Sequence, residues 1–389
     1  GVNWARLVTA LRHRRAATVP WPQPPAPSFD WSSPMRRLPA TLACGVVLLA
    51  CLSAGSPAAH AAMADLALAG ETSAPLARLP RQVQVLQDVH YGGHAHQRFD
   101  VYLPQGEPTL QDAPVIFMVH GGAWRTGDKA MSAVVLNKVA RWVPKGFVLI
   151  STNYRLLPDA DPLEHAWDVA QALSTAQAKA ASWGASRHKF ILMGHSAGAH
   201  LVALINASPI LATGLGATPW LGAVSLDSAC LDVAATMDGP HLRLYDRAFG
   251  RDPGFWQAVS PLHQMAKGAA PLLAVCSSRR QSACLQAEAY RRKAQGMGLR
   301  AVVLPQDLSH GDINARLGEA SAYTDAVERF MSSLDASVAP LLAKPSRKPP
   351  AQAAQATSES ASSRQAEGAT PVQRLKARVK ALTSANPSK

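Results

Sequence analysis

The sequence predicts an α/β fold with a mostly parallel eight-stranded sheet, flanking helices and a small cap. Short apolar runs rich in β-branched residues alternate with helical patterns between residues 80 and 336, as is typical of such a sheet. A Gly-rich pentapeptide, residues 194–198, stands between one of these runs and a helical segment. No internal repeat divides the region, so we expect a single domain over 80–336.

The predicted elements follow in chain order. An antiparallel pair of strands is expected first, at 83–89 and 98–103. Runs suited to buried parallel strands follow at 115–119, 147–153, 190–193, 221–226, 272–275 and 301–304. Crossover helices are expected at 161–183, 199–207, 285–296 and 317–334. The segment 232–265 has no strand pattern, and we expect it to form the cap.

The basic character of the chain is confined to its two ends. The 389 residues carry a net charge of +13, but residues 65–340 hold 24 basic and 23 acidic side chains. Residues 1–64 contribute +5, and residues 341–389 contribute +7. Nucleic-acid binding by the folded region would need a basic surface there. We therefore expect no nucleic-acid partner.

Both ends are predicted to lie outside the domain. Residues 1–34, rich in Pro, Trp and Arg, are interpreted as a disordered leader or a start placed too far upstream. Residues 35–64 run from charged to apolar to small side chains, as in a secretory signal peptide, so we expect a periplasmic or secreted protein. Residues 341–389 predict a disordered basic tail. The tail, or a lipidated Cys51 as in a lipoprotein, would offer weak membrane or envelope attachment.

Three cysteines follow the predicted signal peptide. Cys276 and Cys284 are the expected disulfide pair, because a short loop can join them and export would permit one disulfide. Cys230 is then expected to be buried and free. No Cys and His spacing indicates zinc, and we expect neither a metal nor an organic cofactor.

The pentapeptide Gly194-His195-Ser196-Ala197-Gly198 is the candidate catalytic motif. It follows a predicted strand and opens an apolar helix, which is the context in which a G-x-S-x-G turn exposes a nucleophilic serine. The two glycines would let neighbouring backbone approach closely. Ser196 is therefore the predicted nucleophile, with the N–H of Ala197 as an oxyanion donor at a helix N-terminus. An ordinary structural turn is the alternative.

A second Gly-rich stretch, His120-Gly121-Gly122-Ala123-Trp124, follows the strand predicted at 115–119. We expect the N–H groups of Gly122 and Ala123 to face the same oxyanion. His120 is expected to organise this loop by hydrogen bonding. Trp124 would either line the substrate pocket or pack beneath it.

His310 is the predicted general base, because it is the histidine that follows the last predicted strand. The other late histidines, His241 and His263, fall in the predicted cap. Its predicted partner is Asp227, which ends the strand at 221–226 and whose side chain could reach the histidine from the neighbouring strand end.

Other carboxylates fit the acid role less well. Asp232 lies further along its loop, and Glu288 lies a turn into a helix. Asp307 and Asp312 flank the histidine closely and are expected to cap or anchor its loop. A Ser-His pair assisted by a backbone carbonyl or a water is the remaining option.

Together these motifs resemble the esterase and lipase branch of the α/β-hydrolase superfamily, near the kynurenine formamidase-like and BD-FAE-type carboxylesterases. The HGGAW stretch at 120–124 is similar to their HGGxW loop, NYRL at 153–156 to their N-Y-R-L turn, and GHSAG at 194–198 to their elbow. The likeness covers about 85–335 and implies an α/β-hydrolase fold.

The resemblance also implies functional residues. It implies Ser196 and His310 as catalytic residues, and Gly122, Ala123 and Ala197 as oxyanion donors. The family pattern places the acid in the loop after the penultimate strand, here residues 277–284, but that loop has no carboxylate.

We therefore expect a serine carboxylesterase that cleaves short-chain or aryl esters through an acyl-Ser196 intermediate. A formamide or another small amide is the alternative substrate class, as in an arylformamidase. The loop at 277–284, where the family pattern places the acid, contains no carboxylate. A catalytically inactive binding protein with the same fold is therefore the alternative from another functional class.

Overall fold

The computed structural model describes residues 78–106, 110–228 and 230–343. The predicted leader, the predicted signal peptide and residues 344–389 of the predicted tail lie outside the described residues. All eight predicted strands are present in one sheet. They are β1 (Val83–His90), β2 (Arg98–Pro104), β3 (Ala113–Val119), β4 (Val148–Thr152), β5 (Ala185–His195), β6 (Gly222–Leu226), β7 (Leu272–Ser277) and β8 (Ala301–Gln306).

The strand order across the sheet is β1-β2-β4-β3-β5-β6-β7-β8. β2 pairs antiparallel with both β1 and β4, and the remaining neighbours are parallel. The predicted antiparallel pair and mostly parallel sheet are therefore confirmed. The carboxyl ends of β3, β5, β6, β7 and β8 meet at one edge, where sheets of this kind bind their ligands.

Helices cover both faces of the sheet in the described part of the chain. They are α1 (Ser132–Trp142), α2 (Pro162–Lys179), α3 (Ala197–Ala207), α4 (Ile210–Thr213), α5 (Val233–Asp238), α6 (Arg243–Phe249), α7 (Pro253–Ala258), α8 (Pro261–Gln264), α9 (Gln281–Gly296), α10 (His310–Ala315), α11 (Ala322–Ser332) and α12 (Ala339–Ala343). Within these ranges, none of them has both the length and the apolar character needed to cross a bilayer.

The core consists of two apolar layers, one on each face of the sheet. β3 shows why, since all seven of its residues are buried. Val115, Phe117 and Val119 pack on the layer under α2 and α3, while Ile116 and Met118 pack on the layer under α1 and α11. A strand buried on both faces reads as a continuous apolar run, which is why the sequence predicts it well.

The structure differs from the predicted elements mainly in its helices. Helix α1 was not predicted, and the segment predicted as one helix over 317–334 begins only at Ala322. Gly318, with a φ of +107°, lies in the turn that separates α11 from α10. The fold also extends past its predicted end, because Leu342 is buried and its carbonyl accepts a hydrogen bond from Lys145. Residues 341–343 therefore belong to the fold rather than to the predicted tail.

The predicted cap segment, 232–265, contains no strand, as expected. It folds into the four short helices α5 to α8 between β6 and β7. Tyr245 and Phe249 of α6 pack against Trp124, which follows β3. The segment therefore covers the sheet edge beside the loop after β3.

Candidate active site

Ser196 lies at a sharp turn between β5 and α3. Its backbone has a φ of +56° and a ψ of −116°, a conformation that costs energy for a residue with a side chain. A Cβ on Gly194 would lie 2.3 Å from the carbonyl oxygen of Gly198, and a Cβ on Gly198 would lie 2.3 Å from that of Val119. Close backbone approach thus explains both glycines of the motif.

The turn is tied to the neighbouring strand. The Ser196 amide donates to the carbonyl oxygen of Leu226, the last residue of β6, at 3.0 Å. The serine side chain is half-buried, and within the described ranges its hydroxyl forms no hydrogen bond. Hydrogen bonds between a catalytic serine and its base often tighten only when substrate binds.

The loop after β3 lies against this serine. A Cβ on Gly121 would be 2.9 Å from the Ser196 Cβ. The next three residues, Gly122, Ala123 and Trp124, have φ values of +118°, +52° and +60°. Consecutive left-handed residues curl the backbone and expose its amides.

The predicted oxyanion donors are free to bind a ligand. In the described part of the chain, the amides of Gly122, Ala123 and Ala197 donate to no acceptor. Ala197 owes this to its place in the first turn of α3, where amides have no partner within the helix. Gly122 and Ala123 directly follow Gly121, which lies against Ser196, and Ala197 directly follows Ser196.

Trp124 packs rather than lining an open pocket. Its side chain is 3% exposed, and its Nε1 donates to His200 Nδ1 at 3.2 Å. His120 organises the same loop, since its Nδ1 lies 2.7 Å from the carbonyl oxygen of Gly121 and its ring stacks on Tyr154. Burial lowers the pKa of His120 to about 4, so this histidine is neutral at pH 7.

His310 is the first residue of α10, which Ser309 caps by accepting from the Asp312 amide. The His310 carbonyl oxygen lies 2.9 Å from His195 Nε2, and the two rings are 4.5 Å apart. His195 precedes the candidate nucleophile, so these contacts hold the predicted base beside the elbow. Burial and the nearby His310 lower the pKa of His195 well below its usual value.

Asp227 follows β6 and lies against His310, as predicted. Its Oδ2 is 2.6 Å from His310 Nδ1, and its Oδ1 accepts from the Ser277 amide at 2.8 Å. The carboxylate is fully buried, and its backbone φ is +53°. Burial alone would raise its pKa, but the hydrogen bond from His310 and the charge of Arg280 outweigh burial and lower it well below the usual value.

Arg280 is the member of this cluster that the sequence analysis missed. Its Nη1 lies 2.5 Å from Asp227 Oδ2 and 2.5 Å from His310 Nδ1. The arginine comes from the loop where the family pattern places its acid. The sequence offered one signal for this role, an arginine in the loop where the family pattern places a carboxylate that is absent here.

The other carboxylates considered from the sequence have partners elsewhere. Asp307 pairs with Arg279, and Asp312 accepts from the Ser309 hydroxyl at the start of α10. Asp312 therefore anchors the start of α10, as expected, whereas the Asp307 pair is exposed to solvent and contributes little to holding the loop. Asp232 caps α5, and Glu288 pairs with Arg291 on α9.

The cysteines have the predicted arrangement. Cys276 and Cys284 form a disulfide across the loop after β7, and Cys230 is buried and free. Burial raises the pKa of the Cys230 thiol to about 12, which keeps it protonated and unreactive. Within the described residues, no three His, Cys, Asp or Glu side chains are grouped so that they could hold a metal ion.

Backbone strain is concentrated at this site. Among the described residues, six other than glycine have a positive φ, and four of them are Ala123, Trp124, Ser196 and Asp227. Strained conformations persist only where the surrounding structure enforces them, and they cluster at functional sites. The strain therefore marks the same sheet edge as the motifs, by an independent observation.

Comparison with known proteins agrees with this fold. Residues 99–212 match the family model BD-FAE. Esterase LipC of Mycobacterium tuberculosis is 28% identical over 204 residues, which are 49% of this chain and 50% of LipC. A probable isoprenylcysteine alpha-carbonyl methylesterase of Arabidopsis thaliana, ICMEL2, is 32% identical over 118 residues, 30% of this chain and 27% of that protein.

The alignments span half or less of these relatives' length. Among solved structures, Esterase B of Lactobacillus rhamnosis superposes with a TM-score of 0.55 at 19% identity, covering 72% of this chain and 93% of that one. A carbohydrate esterase from gut microbiota gives a TM-score of 0.56, also at 19% identity, covering 64% of this chain and 96% of its own. The chain therefore has an α/β-hydrolase fold and is similar over residues 99–212 to the BD-FAE family.

Proposed function

We propose that this protein is a serine carboxylesterase that cleaves short-chain or aryl esters through an acyl-Ser196 intermediate. The observation that carries the proposal is the hydrogen bond between His310 and Asp227, 2.6 Å long, beside a strained serine elbow. A buried, ionised carboxylate fixes the imidazole with its proton on Nδ1, which leaves Nε2 free to act as a base.

The reaction would proceed in two half-reactions. His310 Nε2 takes the Ser196 proton as the hydroxyl oxygen attacks the ester carbonyl, and the amides of Gly122, Ala123 and Ala197 stabilise the oxyanion. The imidazolium returns the proton to the leaving alcohol as the C–O bond breaks. Water then attacks the acyl-enzyme by the same route and releases the carboxylic acid.

The substrate class rests on the comparisons and on the rings near the site. The relatives above carry the names of esterases, and Esterase B has also been solved with a C4-C4 SN3 tributyrin phosphonate inhibitor. In this chain, Trp124 forms edge contacts with Tyr245 and Phe249 of the cap, at 5.9 and 4.9 Å between ring centroids. Trp124 and Phe249 are buried in these contacts, whereas the half-buried Tyr245 is the ring that a substrate could meet beside the oxyanion loop, and an aromatic ring there favours small apolar acyl or aryl groups.

Labelling with a fluorophosphonate probe tests the proposal directly. An activated serine reacts covalently with the probe, and mass spectrometry should locate the adduct on the peptide that contains Ser196. Ser196→Ala should abolish labelling, while Ser278→Ala, which changes an exposed serine beside the site, should not. An unlabelled wild-type protein that also fails to hydrolyse p-nitrophenyl acetate would contradict the proposal and favour an inactive binding protein.

We also propose that the protein is exported. The disulfide between Cys276 and Cys284 supports this, because such bonds persist in oxidising compartments. Fractionation of expressing cells should recover the protein outside the cytoplasm. A Cys51→Ala variant that leaves the membrane fraction would assign attachment to a lipid on that cysteine, whereas release by salt would assign it to the basic tail.

A further inference from the structure

The loop after β7 holds the Asp227 carboxylate with two donors. The Ser277 amide donates to Oδ1 at 2.8 Å, and Arg280 Nη1 donates to Oδ2 at 2.5 Å. The same guanidinium nitrogen lies 3.3 Å from the Asp227 carbonyl oxygen. The loop that the family pattern would use for the acid thus binds an acid carried by the neighbouring strand.

Asp227 Oδ2 is shared between Arg280 and His310. His310 Nδ1 is 2.6 Å from this oxygen, and Arg280 Nη1 is 2.5 Å from that same imidazole nitrogen. With the proton on Nδ1, the imidazole N–H and the guanidinium N–H converge on one oxygen. Any displacement of Arg280 therefore moves the acceptor that orients the imidazole.

The buried position of Asp227 makes a cationic partner important. Its side chain is fully buried, whereas the Arg280 side chain is 29% exposed and reaches inward from the surface. A buried carboxylate is costly unless it is paired and fully hydrogen-bonded. A neutral imidazole supplies one N–H and no charge, so Arg280 supplies the compensating charge.

The disulfide fixes where Arg280 begins. Cys276 and Cys284 are joined eight residues apart with their Cα atoms 5.2 Å apart, and Arg280 lies midway between them at the start of α9. The cross-link therefore restricts the loop from which both donors to Asp227 come.

We propose that Arg280 is a positioning residue for the Asp227–His310 pair, and that the Cys276–Cys284 disulfide keeps it in place. This inference rests on the proposed esterase function. Removing a guanidinium that served only to stabilise the fold would change the unfolding temperature without changing the pH profile of kcat/KM.

Charge around His310 comes from several elements. Asp227 faces it from the end of β6, Arg280 from the loop before α9, and His195 from the end of β5. Burial keeps His195 neutral, and it likewise raises the pKa of Tyr323, which lies near Asp227, well above its usual value. On α10 itself, Asp312 is held by Ser309.

Removing the Arg280 charge, which lies against both the Asp227 carboxylate and the His310 imidazole, should therefore move the acid limb of the kcat/KM profile to higher pH. Arg280→Lys keeps a charge but loses the planar fork, so its acid limb should stay near that of the wild type while kcat falls.

The test measures kcat, KM and the pH profile of Arg280→Met, with Arg279→Met as the matched control. Arg279 lies one residue away, but it pairs with the exposed Asp307. We expect Arg280→Met to lower kcat about 30- to 100-fold with little change in KM, and Arg279→Met to stay near wild type. Guanidinium ion at sub-denaturing concentration should restore part of the lost activity.

Reduction of the wild-type disulfide tests the second half of the proposal. It should lower kcat and shift the acid limb in the same direction as Arg280→Met, and reoxidation should reverse both. Reduction should add little to the Arg280→Met defect, because both changes act on one contact. Reduced wild-type enzyme with an unchanged kcat would remove the disulfide from the proposal.

The outcomes separate this inference from the proposed function. Wild-type enzyme that is labelled at Ser196, together with an Arg280→Met variant of unchanged kcat and pH profile, would overturn the inference alone. Wild-type protein that is neither labelled nor active would overturn the function first. If Arg280→Met does not fold, an Arg280→Lys enzyme with wild-type kcat would overturn the positioning role.

Discussion

The two halves of the candidate site are built differently. The half around Ser196 comes from one continuous segment, a strand, a tight turn and a helix, with a Gly-rich loop against it. The half around His310 is assembled from the end of β6, the loop before α9 and the start of α10. The first half depends on backbone geometry and the second on side chains that meet across long sequence separations. Sequence motifs therefore mark the half around Ser196, whose residues are close along the chain, and leave the half around His310 largely unmarked.

Loss of the nucleophile should lower kcat more than any other single substitution in either half of the site. Ser196→Ala should lower kcat by about 10⁵- to 10⁶-fold, because the covalent step disappears while the oxyanion amides remain. Ester hydrolysis by purified protein measures it, with Ser278→Ala as the control. Substantial ester hydrolysis by Ser196→Ala would mean that Ser196 is not the nucleophile.

Loss of the acid tests the side-chain half. Asp227→Asn should lower kcat by about 10³- to 10⁴-fold, because the amide cannot hold the imidazole with its proton on Nδ1. Asp307→Asn is the matched control, since Asp307 is three residues from His310 yet pairs with Arg279. If the control lost activity and Asp227→Asn kept it, sequence proximity rather than the strand end would select the acid.

A smaller loss of kcat is expected from straining the oxyanion loop, and none from straining a glycine outside the site. A Cβ on Gly122 would lie 2.1 Å from the Thr126 carbonyl oxygen, whereas Gly106, which also has a positive φ, has open space around it. Gly122→Ala should lower kcat about 100-fold by moving the loop amides. Gly106→Ala should leave kcat unchanged and cost only about 1 kcal/mol of unfolding free energy. Equal kcat values in the two variants would mean that these amides do not serve the reaction.

The smallest predicted effect is on stability rather than on kcat. It concerns Lys138, which contacts Asn314 near the end of α10, the helix that begins with His310. Lys138 is fully buried, and its Nζ donates to the carbonyl and side-chain oxygens of Asn314 on α10. Burial lowers its pKa to about 7 from a usual 10.5. Between those values the unfolded chain binds more protons than the folded one, so stability rises with pH in this window and is lost as the pH falls through 7.

The check is the unfolding free energy of wild type and Lys138→Met as a function of pH. Between pH 7 and 10, the unfolding free energy of the wild type should rise relative to that of Lys138→Met by at most about 1.4 kcal/mol per pH unit. A constant difference across that range would show that this lysine keeps its charge in the folded protein. The kcat of Lys138→Met at a fixed pH reports how far the contact between Lys138 and Asn314 helps to position His310.

Much of this architecture could be predicted from the sequence. The eight strands were recognised because buried parallel strands are continuous apolar runs, and β3 is buried on both faces. The elbow was recognised because its glycines are required by contacts within a few residues. Asp227 was selected because strand ends meet at one sheet edge, a rule of topology that needs no motif.

The remainder depends on tertiary contacts that leave little trace in local sequence. Arg280 reads as a surface arginine, because the signal available in the sequence, a loop that lacks the expected carboxylate, does not show that its side chain turns inward to Asp227. Lys138 lies in α1, a helix that the sequence did not predict, and only the packing of α1 on α10 buries it. The boundary before α11 was misplaced because the turn at Gly318 interrupts an otherwise continuous apolar pattern.

The strained backbone at the sheet edge has a consequence for how this protein could change over time. Ala123, Trp124, Ser196 and Asp227 all hold conformations that glycine or asparagine adopts more readily. Substitutions that relax these positions would make the chain more robust to heat while loosening the groups on which turnover depends, a trade-off seen in many enzymes. A screen for thermal tolerance alone would therefore be expected to enrich variants that are easier to fold and slower to act.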